Sequence, residues 1–191
     1  PLKIYEFFYD DLINIFKQKK VSFFQLRLKK ETFEKKIIIG RKIKKICKKY
    51  NVKFLVNDDA YLAKKLDADG CHLGQKDMDI KRAREVLKNK IIGITCNNSI
   101  KKAREALKNK ADYIAIGAFN LSRTKKVKYK ATLEDLKKIR SISTKPIIAI
   151  GGINQYNYKK LLLNKADFLA ISNFIWKNKN FKPEEAIKKL K

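Results

Sequence analysis

Gln25, Arg27 and Lys29 close an otherwise apolar run, and in an extended chain alternate positions share one side. An amide and two cations on one side suit an anion, because inward polar groups are costly unless hydrogen-bonded or ligand-bound; a solvated strand edge is the alternative. Two later segments, Asn57-Asp58-Asp59 and His72-Leu73-Gly74-Gln75-Lys76-Asp77, supply carboxylates. Oxygen ligands favour magnesium, which keeps several waters and needs only one or two protein carboxylates plus phosphate oxygens, so Asp58 and Asp77 suffice as Mg²⁺ ligands. Taken singly, either aspartate is equally well a turn residue or a helix N-cap. His72, the only histidine, lies in an apolar stretch, where packing or orientation of the site suits it better than catalysis.

Further along, Gly117 opens a loop through Ser122, Arg123, Thr124 and Lys125, rich in hydroxyl donors and able to close over an anion. Gly151-Gly152 stand before a helix expected to begin near Asn154, and Ser172-Asn173 follow the last strand-like run. Glycine lets a backbone approach a phosphate, and helix-start N–H groups point at it; a mere turn is the alternative.

These segments need elements to hold them. Strand-like runs fall at 3–9, 21–28, 53–56, 70–73, 91–95, 113–116, 146–150 and 168–171, separated by stretches whose apolar residues recur every three or four positions. The clearest such face is Phe33, Ile37, Gly40, Ile43, Cys47 and Tyr50. A weak repeat marks three helix-to-strand junctions: Ala68-Asp69, Ala111-Asp112 and Ala166-Asp167. Asn109 and Asn164, just before two of them, suit a left-handed helix end. Eight strands alternating with helices predict an α/β protein, a compact single-domain (β/α)₈ TIM barrel spanning residues 1–191, shorter than the typical ~250. In such a barrel the reactive groups belong at the carboxyl ends of the strands. An open doubly wound sheet is the alternative, but no Gly-x-Gly-x-x-Gly opens an early helix.

Lys and Arg outnumber Asp and Glu by 47 to 19, giving +28, yet 45% of positions are hydrophobic, which excludes a disordered basic tail. The 40 lysines against 7 arginines are dispersed over the predicted helices, as on a solvated surface, and no nucleic-acid-binding signature appears. No apolar stretch approaches the ~20 residues of a membrane helix. The start lacks a secretory layout, so a cytoplasmic protein with no membrane or nucleic-acid partner is expected. Cys47, Cys71 and Cys96 are odd in number and widely spaced, predicting reduced, packed thiols.

Six motifs then stand in register over nearly the whole chain: Gln25-Leu26-Arg27-x-Lys29, Val56-Asn57-Asp58, His72-Leu73-Gly74-Gln75-x-Asp77-Met78, Ser122-x-Thr124-Lys125, Ala149-Ile150-Gly151-Gly152-Ile153 and Ile171-Ser172. With them the sequence resembles the thiamine-phosphate synthase family of (β/α)₈-barrel enzymes. The resemblance implies transfer of a hydroxymethylpyrimidine group from its diphosphate to a thiazole phosphate, with Mg²⁺ and departure of pyrophosphate before bond formation. It implies that Arg27, Lys29, Asn57 and Lys125 hold the diphosphate, with Arg27, Lys29 and Lys125 catalytic. Gln25 and Thr95 join the substrate site, while Asp58 and Asp77 carry the metal. Ser122, Thr124, Gly152, Ile171 and Ser172 receive the thiazole phosphate. Partners would be these small molecules, and a homo-oligomer is compatible with the reading. The sequence departs from the family's usual serine at Thr95, histidine at Asn97, proline at Ala118, threonine at Ser122, arginine at Asp59 and glycine before each Ala-Asp. Alternatives are a thiazole tautomerase on the same barrel, a group that generally lacks the full diphosphate and metal set, and a basic nucleic-acid-binding protein.

Overall fold

The computed structural model describes residues 4–120 and 129–190. The chain runs α1 (Phe8–Lys17), β1 (Phe23–Leu26), α2 (Phe33–Lys49), β2 (Lys53–Asn57), α3 (Ala60–Lys65), β3 (Gly70–Leu73), α4 (Ile80–Leu87), β4 (Ile91–Asn97) and α5 (Ile100–Lys108). It continues through β5 (Tyr113–Gly117), α6 (Leu133–Ile142), β6 (Ile147–Ile150), α7 (Tyr158–Leu163), β7 (Phe168–Ala170), α8 (Asn173–Trp176) and α9 (Pro183–Lys188). Every strand pairs in parallel with the next, in the order β1-β2-β3-β4-β5-β6-β7. This is the winding of a TIM-like α/β fold, with helices on one face and the other face turned toward the site.

The closed eight-stranded barrel predicted from the sequence does not form among the described residues. They contain seven strands, and β1 and β7 do not pair. These outer strands approach through Phe23 and Phe168, whose rings meet edge to face with centroids 5.6 Å apart. The absent strand is the run expected at 3–9: Lys3 lies outside the described residues, while Phe8 and Tyr9 open α1. Aromatic density there reads as β, but Phe8, Leu12, Ile15 and Phe16 recur at helical spacing and are all buried, and Asp10 and Asp11 favour a helix start. The ring of Phe8 packs on Trp176 at 5.2 Å and on Phe24 at 6.4 Å, joining both chain ends to the core.

The Ala-Asp repeat forms a clip at the amino ends of the strands. The Asp69 carboxylate accepts from the Phe54 N–H at 2.8 Å, and its own N–H donates to the Phe54 carbonyl at 2.8 Å. Asp112 does the same with Ile92 and Asp167 with Ile147. Each carboxylate also meets a cation: Lys53 at 3.1 Å, Arg84 at 2.6 Å and Arg140 at 2.7 Å. Arg84 binds in addition the carbonyls of Lys88, Lys90 and Lys110, and Arg140 those of Ser143 and Lys145.

Asn109 and Asn164 do not take the left-handed conformation; their φ values are −89° and −97°. It falls one residue later, immediately before each Ala-Asp, on Asp67, Lys110 and Lys165 with φ 45°, 62° and 72°. Cys47, Cys71 and Cys96 are buried and unpaired, as expected. Among the described residues no helix is long and apolar enough to cross a membrane.

Two outcomes follow for stability. Asp112→Ala leaves the buried N–H of Ile92 without its acceptor and should cost about 1–3 kcal/mol. That lowers Tm by about 2–12 °C in thermal unfolding, whereas Asp112→Asn, which keeps an acceptor, should cost less. Lys110→Gly removes a Cβ from a left-handed position and should stabilise by about 0.5–1 kcal/mol, net of the lost favourable charge at the helix end. Denaturant midpoints decide it, and a lower midpoint would contradict the assignment.

Candidate active site

Register carries the residues to one face. Gln25 pairs with Leu55, Asn57 with His72, and both His72 and Tyr113 with Gly93. Alternation then puts Gln25, Asn57, His72, Thr95 and Tyr113 on the same side of the sheet, while Phe24, Leu26 and Val56 turn to the helices. The Gln25 side-chain amide donates to the Asn57 side-chain oxygen, joining β1 to β2 at the level expected from the sequence. Arg27, Lys29, Asn57, Asp58 and Asp59 line one cleft of about 260 Å³ at the carboxyl ends of these two strands.

The acids divide their work. Asp59 caps α3 by accepting from the Leu62 N–H at 2.9 Å, and Asp79 caps α4 by accepting from Lys81 at 2.8 Å. Asp58 and Asp77 are thereby left free of capping. Asp58 adopts a left-handed φ of 69°, held by its N–H on the His72 carbonyl at 2.8 Å, and its carboxylate lies 3.3 Å from Lys29 Nζ. Asp77 accepts from the Gly74 N–H at 2.6 Å and reaches the Asp58 carboxylate. Burial, then the hydrogen bond to Asp58 and its negative charge, push the Asp77 carboxyl above its usual range, against Gly74 and Lys29. Two half-buried carboxylates in contact fit a hard divalent cation, whose charge relieves their repulsion. Among the described residues no cluster of three or more potential ligands exists, so a cation here would lean on substrate oxygens and water.

His72 is buried between β2 and β4 elements and keeps both ring nitrogens engaged: Nδ1 lies 2.8 Å from the Tyr113 hydroxyl and Nε2 2.8 Å from Thr95 Oγ1. Burial pushes the imidazole down to about 4, so it is neutral at pH 7. Thr95 is fixed a second time, its backbone carbonyl accepting from Gln75 Nε2 at 2.7 Å. Tyr113 and Gln75 are residues to which sequence reasoning assigned no role. A glycine inside β4 was the available signal: a Cβ at Gly93 would sit 1.8 Å from the Tyr113 ring.

The remaining expectations separate. Ser122, Thr124 and Lys125 lie outside the described residues. Gly151 and Gly152 have φ of 96° and 62°, and a Cβ at Gly151 would meet that of Ala118 at 2.2 Å, so the β6 end presses on the β5 end. The helix expected near Asn154 starts instead at Tyr158, because Asn154 and Asn157 spend their side chains on a turn: Asn157 Oδ1 accepts from the Asn154 N–H, and Asn154 Oδ1 from that of Tyr156. Ile171 and Ser172 follow β7 at the start of α8, where the Ser172 carbonyl accepts from Ile175 and Trp176. Arg27, Lys29, Asn57, Asp58 and Asp77 thus converge, while Gly152, Ile171 and Ser172 lie at the ends of β6 and β7.

With this geometry in view, residues 9–175 match the family model described as thiamine monophosphate synthase. The thiamine-phosphate synthase of Pelagibacter ubique is 66% identical over 184 residues, covering 96% of this chain and 89% of that one. That of Persephonella marina is 39% identical, covering 83% and 76%. Among solved structures, a thiamine phosphate pyrophosphorylase from Pyrococcus furiosus superimposes with a TM-score of 0.86 at 29% identity, covering 95% of this chain and 86% of that one. A 3-hexulose-6-phosphate synthase, with a TM-score of 0.67 at 17% identity over 94% and 92%, shares the fold alone. The chain belongs to the thiamine monophosphate synthase family.

Proposed function

We infer that this chain is a thiamine-phosphate synthase that joins a hydroxymethylpyrimidine, delivered as its diphosphate, to a thiazole phosphate at the rim formed by the ends of β1 to β4. The observation that carries the reading is the meeting of Lys29, Asp58 and Asp77, from three separated segments, beside the Arg27 cleft. Departure of pyrophosphate concentrates negative charge on the leaving oxygens, and positioned cations stabilise that charge as it grows. Arg27 and Lys29 are suited to this, with the amide of Asn57 beside them; the Gln25 amide spends one of its donors in orienting Asn57. Lys125 is assigned to the same group by the family motif. Mg²⁺, held by Asp58 and Asp77, would supply further charge neutralisation on the diphosphate when bound.

No general base is required for the bond-breaking step. Its products are a pyrimidine methylene cation and pyrophosphate, and the thiazole nitrogen lone pair then forms the new C–N bond. The thiazole phosphate is assigned by the family motifs to Gly152, Ile171 and Ser172 at the ends of β6 and β7, with Ser122 and Thr124 from the segment between β5 and α6.

Pyrophosphate release, measured with the plain and the carboxylated thiazole phosphate in turn, tests this. Excess chelator should abolish release and added Mg²⁺ restore it; full turnover in chelator would remove Asp58 and Asp77 from the metal assignment. Asp77→Asn and Arg27→Ala should each lower the single-turnover rate on the order of 10²-fold, as expected for loss of one charge-stabilising group. An unchanged rate in either variant removes that residue from the mechanism.

A further inference from the structure

Among the described residues, His72, Tyr113 and Thr95 form a buried polar triad whose histidine and tyrosine the reaction above leaves without a task. It spans three strands: β3, β5 and β4. The imidazole and the Tyr113 ring are stacked, with centroids 5.6 Å apart and planes 19° apart. The ring has this place because position 93 carries no side chain.

Counting protons fixes the direction of both hydrogen bonds. A neutral imidazole has one donor and one acceptor. If Nδ1 carried the proton, it would donate to Tyr113, and the tyrosine proton, deep in the interior, would need an acceptor elsewhere. Among the described residues the Tyr113 hydroxyl has no hydrogen-bond partner other than His72. In the opposite arrangement Tyr113 donates to Nδ1, and Nε2–H donates to Thr95 Oγ1; every buried proton is then used. The Thr95 hydroxyl, acting as acceptor toward His72, has its own proton unspent, and among the described residues its oxygen meets no other group. Thr95 is only half-buried and shares its face with Asn57 and Gln25.

We propose that His72 is a positioning residue: locked by Tyr113 as the Nε2–H tautomer, it orients the Thr95 hydroxyl and leaves its proton free to donate to an acceptor atom of the diphosphate-bearing pyrimidine substrate. Gln75, on the same segment as His72, holds the Thr95 carbonyl and so fixes the backbone from which that hydroxyl projects. A hydroxyl whose oxygen already accepts from Nε2–H still has its proton to offer, which favours an acceptor at that point of the substrate. The inference rests on the functional reading above for the identity of the substrate, but not for the tautomer.

A chain with one histidine allows a direct test. In protein labelled with ¹⁵N in the imidazole, long-range ¹H–¹⁵N correlation at neutral pH should show one ring with Nε2 protonated and Nδ1 bare. A ring protonated at Nδ1, or at both nitrogens, overturns the proposal whether or not the enzyme is active. In steady-state assays of pyrophosphate release, His72→Leu and Thr95→Val should raise KM for the pyrimidine diphosphate by about 3- to 10-fold, the loss of one hydrogen bond. Thr95→Ser should retain the wild-type value, and His72→Gln, which can place an amide donor near the Nε2 position, should recover part of the loss. A merely structural role would lower the active fraction at unchanged KM, and that result in a folded Thr95→Val enzyme counts against the proposal. Wild-type protein that releases no pyrophosphate would defeat the functional reading, while the tautomer would still be decided by the spectrum.

Discussion

Parallel register is the constraint on which the site depends. Gln25, Asn57, His72 and Thr95 stand on four successive strands, and a slip of one residue in any of them would turn its side chain to the helix-covered face. The aspartate clips oppose such a slip from the far end. Asp69 ties the start of β3 to β2, Asp112 that of β5 to β4, and Asp167 that of β7 to β6, so alternate strand pairs are pinned where no chemistry occurs. The opposite ends are then left to irregularity. The β4–β5 pairing shifts between Thr95 and Asn97, and Asn97 takes a φ of 56°, two residues beyond the one that His72 and Gln75 hold in place.

Acids are scarce in this chain, 19 against 47 cations, and their placement separates structure from chemistry. Asp59, Asp79 and Asp135 sit at helix starts, and Asp69, Asp112 and Asp167 at strand starts. In each such place the carboxylate accepts from a backbone N–H or meets a cation that compensates it. Asp58 and Asp77 have such partners in Lys29 and the Gly74 N–H, but each also lies against the other, and burial together with that contact raises the Asp77 carboxyl. Adjacent acids with divided duties, Asp58 beside the cap Asp59 and Asp77 near the cap Asp79, let one element end and another group face the rim within two or three residues.

Seven of the eight strand-like runs became strands because short β-branched segments bounded by turns have few other uses in a chain of this length. The exception, 3–9, shows where local composition loses to packing: aromatic residues favour strands and helix cores alike, and only the burial of Phe8 with Leu12, Ile15 and Phe16 decides between them. The convergence of Lys29, Asp58 and Asp77 was legible because alternation and strand order suffice to predict it. What sequence could not carry is pairing between side chains on different strands: the contact of His72 with Tyr113 needs the register of three strands at once. Nor does composition distinguish a cap from a ligand when two aspartates adjoin.

Low glycine content and abundant lysine meet at the helix ends. Lys19, Lys88, Lys110 and Lys165 take positive φ where glycine is the residue of least strain, and each follows a helix carboxyl terminus, where positive charge is favoured. Strain from the Cβ is thus partly offset by the helix dipole. These lysines follow helices and precede strands, so they gather on the end of the molecule remote from the rim. A charge of +28 distributed in this way raises the concentration of any polyanion around the protein, a diphosphate included, without selecting among them. Selection falls to the few groups that register brings together, which is why Arg27, Lys29, Asp58 and Asp77 carry information that the other cations, far more numerous, do not.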